Sequence, residues 1–131
     1  MAADGFPAGP GSAARDRLVS LRDALAGAGI PTAVDPDQVD VSKRGGAWVR
    51  AVRMQAATLD DAWEVRYQVH LIAPDVGVLE AWDLLSALLD RALTVIDPDE
   101  PVNTAHSVTL PHTPNQPLPA FLLVVDELVD T

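Results

Sequence analysis

The sequence predicts a single α+β domain, with a mixed, mostly antiparallel sheet of four or five strands and two helices packed on one face. Three observations predict it. Trp63, Val65, Tyr67, Val69 and Leu71 alternate with Glu64, Arg66, Gln68 and His70, the period of two of a half-buried strand. A leucine-rich stretch over 78–95 instead repeats at three and four residues, as an amphipathic helix does. The elements follow in the order α-β-β-β-α-β-β, and burying them all requires helices layered on a sheet. With 131 residues, 48% of them hydrophobic, the chain suits one core.

Residues 1–11, rich in Ala, Gly and Pro, read as a flexible arm, and 12–131 as the domain. Ser12 is a candidate cap for a first helix running to about Ala28, with Leu18, Leu21, Leu25 and Ala28 as its apolar stripe. Gly27 and Gly29 end it and Pro31 forbids continuation. Thr32 to Val34 is a short extended segment, and Asp35-Pro36-Asp37 a turn. The Gly45-Gly46 pair reads as a hairpin tip. In the strand from Ala47 to Met54, Trp48, Arg50, Val52 and Met54 share one parity, and Val49, Ala51 and Arg53 the other. A meander into the strand at Trp63 is the simplest pairing.

Ala73-Pro74-Asp75 stops that strand, because proline has no N–H for the ladder. Asp75 is a candidate cap for the second helix, whose ridge is expected to be Trp82, Leu85, Leu89, Leu93 and Ile96, widened by Leu84 and Leu88. Each large aliphatic side chain so buried contributes about 1.5–3 kcal/mol. Thr104 to Leu110 is a further strand. Pro111, Pro114, Pro117 and Pro119 mark a stiff, extended loop. Ala120 to Leu128 is apolar on both parities, which calls for cover on both faces.

Composition narrows function mostly by exclusion. No cysteine is present, which removes disulfides, a thiol nucleophile and thiolate metal ligands. The start of the chain lacks the basic and apolar runs of a signal peptide, and no stretch has the length of a membrane span. The net charge is −10, and every Lys and Arg lies at or before Arg91; such acidity disfavours recognition of phosphate backbones. Neither a phosphate-binding glycine loop nor a nucleophile elbow occurs. His70 is expected at the surface or against a cross-strand partner. His106 and His112 have no spacing that favours metal. The carboxylates of Asp60-Asp61 and of Asp97, Asp99 and Glu100 read as solvated turns rather than a calcium loop. The chain is accordingly expected to be no enzyme and to carry no cofactor or metal.

Taken in order, several segments resemble the tail terminator proteins of long-tailed phages of high-GC bacteria. They are the opening helix Arg17-Leu-Val-Ser-Leu-Arg-Asp-Ala-Leu, the Gly29-Ile-Pro exit, the Val34-Asp-Pro-Asp turn and the strand Ala47-Trp-Val-Arg. Tyr67-Gln-Val-His-Leu-Ile-Ala-Pro-Asp, the leucine-rich helix, Ser107-Val-Thr-Leu-Pro and Leu118-Pro-Ala-Phe complete the series. The resemblance covers about residues 14–128. It implies a subunit of a homo-oligomeric ring, commonly a hexamer, that caps the tail tube, stops its growth and joins the head–tail connector. The partners implied are further copies, the tail tube protein and the connector, with DNA passing through unbound and no membrane. The location implied is the tail–neck junction of the virion, after assembly in the bacterial cytoplasm. No catalytic residue comes with the resemblance. Other readings are a different phage neck or minor tail protein, or a small acidic binding or regulatory protein of a bacterial host.

Within such a ring, Trp48, Arg50 and Arg53 are candidate subunit contacts, since Trp and Arg are enriched at interface hot spots; Trp48 as a plain core residue is the competing reading. Asp97, Asp99, Glu100, Asp126, Glu127 and Asp130 are candidate lumen residues, as a negative wall repels DNA, because their stretch of sequence has no Lys or Arg. Solvation of turns and of the C-terminus is the alternative for them.

Overall fold

The alternation in 63–72 becomes the central strand of the sheet. A computed structural model describes residues 9–41, 44–57 and 62–129. In chain order these form α1 (Pro10–Gly27), β1 (Thr32–Ala33), a single 3-10 turn (Pro36–Gln38), β2 (Gly46–Ala56), β3 (Trp63–Ile72), α2 (Val78–Ala92), β4 (Asn103–Val108) and β5 (Leu118–Val129). The five strands lie in the order β1-β2-β3-β5-β4. All neighbours are antiparallel except β1 and β2, which are parallel. The expected meander from β2 into β3 holds, and β4 and β5 are likewise consecutive antiparallel neighbours. β1 reaches β2 through a connection long enough to reverse the chain twice, and β5 inserts between β3 and β4.

Both helices pack on one face. Ala14, Leu21 and Leu25 of α1 and Ala81, Leu85, Leu88 and Ala92 of α2 share a core with Val65, Tyr67, Val69 and Leu71 of β3 and Phe121, Leu123 and Val125 of β5. A smaller core lies on the opposite face, where Val39, Ile72, Val108, Leu110, Leu118 and Ala120 meet. The first half of β5 is thus covered on both sides, as its continuous apolar run required.

Several local expectations change. α1 begins at Pro10, not Ser12, with Gly9 before it and no side-chain cap. Proline fits the first turn because its missing N–H would have no helical partner there. Part of the expected arm is therefore helix, and residues 1–8 lie outside the described residues, as do Asp60 and Asp61. Gly77, at φ +97°, precedes α2, whereas the Asp75 carboxylate accepts from Gln116 Nε2 at 2.7 Å. α2 ends at Ala92 rather than near Val95. The proline loop is not extended: turns close from Thr113 N–H to Leu110 O and from Gln116 N–H to Thr113 O.

The α2 ridge also differs. The buried stripe is Ala81, Leu85, Leu88 and Ala92, while Trp82 and Leu93 are about half exposed, at 51% and 47%. A stripe read from large side chains alone misses the two alanines. They let the helix sit close to the sheet, which rolls Trp82 and Leu93 outward. Gly45 and Gly46 are not a hairpin tip but the entry to β2. Gly45 has φ +77°, and a Cβ there would stand 2.5 Å from Ile72 O, while a Cβ on Gly46 would overlap Asp40 O. Only glycine permits that approach.

Candidate functional site: a histidine ladder and two free sheet edges

The bulge in β2 decides which side chains meet. Ala51 pairs with Tyr67 and Arg53 with Arg66, so Val52 is an extra residue. After it the parity reverses. Met54 pairs with Val65 and lies on the helix-covered face; Arg53 pairs with Arg66 and joins Trp48 and Arg50 on the other. The sequence expectation that Met54 shares a face with Trp48 fails for this reason.

On that far face four side chains form a ladder. The Arg50 guanidinium sits 5.0 Å from the Trp48 ring centre, a cation–π contact. Trp48 stacks on His70, its cross-strand partner, at 5.0 Å, and its indole N–H donates to Val34 O at 3.2 Å. His70 stacks on His106 at 5.1 Å, with His70 Nδ1 and His106 Nε2 3.1 Å apart. β5 lies between these two strands, and Ala120, opposite His106, is small enough to let the rings meet across it.

His70 is only 4% exposed, and its Nε2 has no hydrogen-bond partner among the described residues. Burial pushes its pKa down to about 4, helped by His106 and then Arg50. His106 is lowered too, by burial and then Arg50. Both rings are therefore neutral at neutral pH and share one hydrogen. His106 meets His70 rather than His112 or a carboxylate. No group of three or more His, Cys, Asp or Glu among the described residues is placed to hold a metal.

Of the candidate subunit contacts, Arg50 and Arg53 are exposed, while Trp48 is half-buried and packs against the smaller core. The candidate lumen residues are brought together from distant sequence, except Asp130, which lies outside the described residues. Asp99 N–H donates to Val124 O at 2.8 Å, and the Asp99 carboxylate accepts from Asp126 N–H at 2.7 Å. This fastens the segment before β4 along the edge of β5. Their charge is not uncompensated. Arg66 of β3 grips Asp126 with two hydrogen bonds, at 2.8 and 2.9 Å, and reaches Glu100 at 2.8 Å. The Arg66 bond holds the Asp126 carboxyl below the usual carboxylate range. Arg17 of α1 pairs with Glu127. Two arginines thus face five carboxylates, and sequence proximity could not reveal them.

The sheet has two unlike free edges. β1 pairs only with Ala47 and Trp48, so β2 from Arg50 to Ala56 has no strand on its outer side among the described residues. β4 closes the opposite end. Beside β4, a groove of about 470 Å³ opens toward α2, lined by Val78, Ala81, Trp82, Thr104 and His106 among others. Val78 stands 86% exposed at its rim, and Trp82 meets Phe121 edge-on at 5.1 Å. Sequence reading missed this site. The available signal was an apolar run, Val76 to Leu79, that begins before the buried stripe does.

No helix among the described residues is long and apolar enough to cross a membrane. Comparison with family models, with curated proteins and with solved structures finds no match to this chain.

Proposed function

We propose that this chain is a structural subunit that closes head-to-tail into a ring, capping the tail tube of a long-tailed phage and joining it to the head connector. The observation that supports this best is the pair of free edges. A closed ring of one subunit type needs two different surfaces on opposite sides of the protomer. β2, beyond the two residues that β1 covers, and β4 are different strands at opposite edges of one sheet, and both have exposed apolar side chains nearby, Val52 and Met54 on one side and Val78 on the other. In this reading the chain performs no catalysis, works at the tail–neck junction of the virion and binds DNA nowhere. Asp97, Asp99, Glu100, Asp126, Glu127 and Asp130 remain its candidate lumen residues.

The test is to add the purified chain to growing tail tubes and image them by negative stain. Rings at one tube end, with elongation halted, are expected. Tubes that elongate unaffected, with no density added at either end, would reject the proposal. A ring whose lumen is net positive would reject the channel assignment alone. The groove beside α2 favours one other reading, a small acidic binding protein, which predicts a chain that stays monomeric with tubes present and leaves them unchanged.

A further inference from the structure

One hydrogen assignment suits the His70–His106 contact best. His70 Nε2 is buried with no hydrogen-bond partner among the described residues, and a buried N–H without an acceptor is rarer in proteins than a buried acceptor without a donor. His70 therefore carries its hydrogen on Nδ1 and donates it to His106 Nε2, 3.1 Å away, while His106 keeps its own on Nδ1.

That pair has no place for a third hydrogen. A proton on His106 Nε2 would face the N–H of His70, unless His70 moved its hydrogen to Nε2, where nothing among the described residues accepts it. A proton placed directly on His70 Nε2 would charge a ring that is enclosed. Either charge also joins a stack that Arg50 caps at its other end, and Arg50 acts on both rings. β5 contributes Leu122 and Ala120 beside the rings, neither of them charged. Asp35, Asp37 and Asp40 beside the 3-10 turn and His112 in the β4–β5 loop are exposed to water, and none of them offsets Arg50 at either ring.

The two rings belong to unequal strands. His70 sits on β3, which is bonded to a strand on each side. His106 sits on β4, a six-residue edge strand whose register against β5 is interrupted between Asn103 and His106. The ring contact across Ala120 ties that edge to the middle of the sheet. Thr104 and Ser107 of the same strand line the groove beside α2.

We infer that the His70–His106 pair is an acid-released catch: it holds β4 on the sheet while both rings are neutral, and lets β4 swing away from β5 when the pair takes up a proton, opening the groove beside α2. The catch operates whether or not the chain closes into a ring. Its direction follows from the two states. With β4 released, water reaches the rings and each titrates near the ordinary 6.5, whereas the enclosed His70 is pushed down to about 4. The open form binds protons first, so the catch holds fully above pH 6.5 and weakens as pH falls toward 4. At pH 4.5 one ring alone favours the open form about 100-fold more than at pH 7.5.

Amide hydrogen exchange of the full chain, read residue by residue by NMR at pH 7.5 and 4.5, tests the catch. Relative to intrinsic exchange rates, the hydrogen-bonded amides of β4 should lose about 100-fold in protection at the lower pH, while Tyr67 to Leu71 keep theirs. His70→Phe keeps a ring on Trp48 without its titration, and its β4 should lose less than about tenfold. His106→Ala removes the tie at an edge position, so β4 should be poorly protected already at pH 7.5 and acid should add little. Protection that falls equally in β3 and β4 would mean that the whole domain yields, and would overturn the catch. So would a β4 whose protection is unchanged between the two pH values, one that opens as far in His70→Phe as in wild type, or one that stays fully protected in His106→Ala.

Discussion

On the helix side of β3, Val65, Val69 and Leu71 are wholly buried against α1 and α2. On the opposite side the same strand changes character along its length. Glu64, Arg66 and Gln68 are only partly buried and bond laterally to charged or polar neighbours on β2 and β5, whereas His70 is enclosed between Trp48 and His106. One face is uniform because two helices cover its full length. The other is graded because only the 3-10 turn region and the β4–β5 loop cover it, and only at one end. Alternation assigns residues to faces; it does not say what covers each face.

The sharpest break of this comparison is Val65→Asp. The residue is fully buried in the main core, and an unpaired carboxylate there should cost about 3–5 kcal/mol. The urea midpoint should fall accordingly, or the variant should not fold. A wild-type midpoint would show that the helices do not seal this face.

The covered end of the far face is tested by pH. A histidine whose pKa is 6.5 when unfolded and about 4 when folded binds its proton more readily in the unfolded chain. Its burial as a neutral ring is therefore fully tolerated above pH 6.5, and stability is lost as pH falls from there toward 4. The loss should reach roughly 3 kcal/mol near the lower limit. Thermal melts at pH 7.5 and 4.5 should differ less in His70→Phe, which keeps the stack on Trp48 without the titration. Equal acid sensitivity in the two proteins would place His70 in contact with water.

The contrast also explains how far the sequence could be read. The strand bounded by Trp63 and Ile72, the two helices on one face and the order of elements all follow from periodicity and proline breaks, which are local. The β2 bulge at Val52 is not local: it is set by register against Tyr67 and Arg66, and it moved Met54 to the helix face. The roll of α2 depended on Ala81 and Ala92 packing closely, not on its leucines. Among candidate site residues, Arg50 and Arg53 could be chosen by residue type. The arginines that neutralise Asp126, Glu100 and Glu127 could not, since they come from β3 and α1.

A smaller effect separates packing from hydrogen bonding on the helix side. Tyr67 is fully buried and its hydroxyl donates to Ala14 O at 3.0 Å. Burial, then the Glu127 charge, pushes its pKa up to about 12, so the hydroxyl stays protonated through the ordinary range. Tyr67→Phe keeps the ring and removes the bond, and should cost about 1 kcal/mol. A loss near that of Val65→Asp would mean that the hydroxyl anchors α1 to the sheet by more than one bond.

The smallest expected effect lies one residue from the largest. Glu64 precedes Val65 but points to the far face, where its carboxylate accepts from Gln55 Nε2 at 3.1 Å and stands 3.5 Å from Arg53. The Arg53 and Glu64 side chains are 46% and 36% exposed, so their attraction is screened and offset by the entropy of holding two long side chains. Glu64→Gln keeps the shape and an acceptor for Gln55. It should change stability by no more than about 0.5 kcal/mol, against several for its neighbour. A marked loss of stability in Glu64→Gln would mean that the far face is covered at this end as well, and that Arg53 is already committed within its own chain.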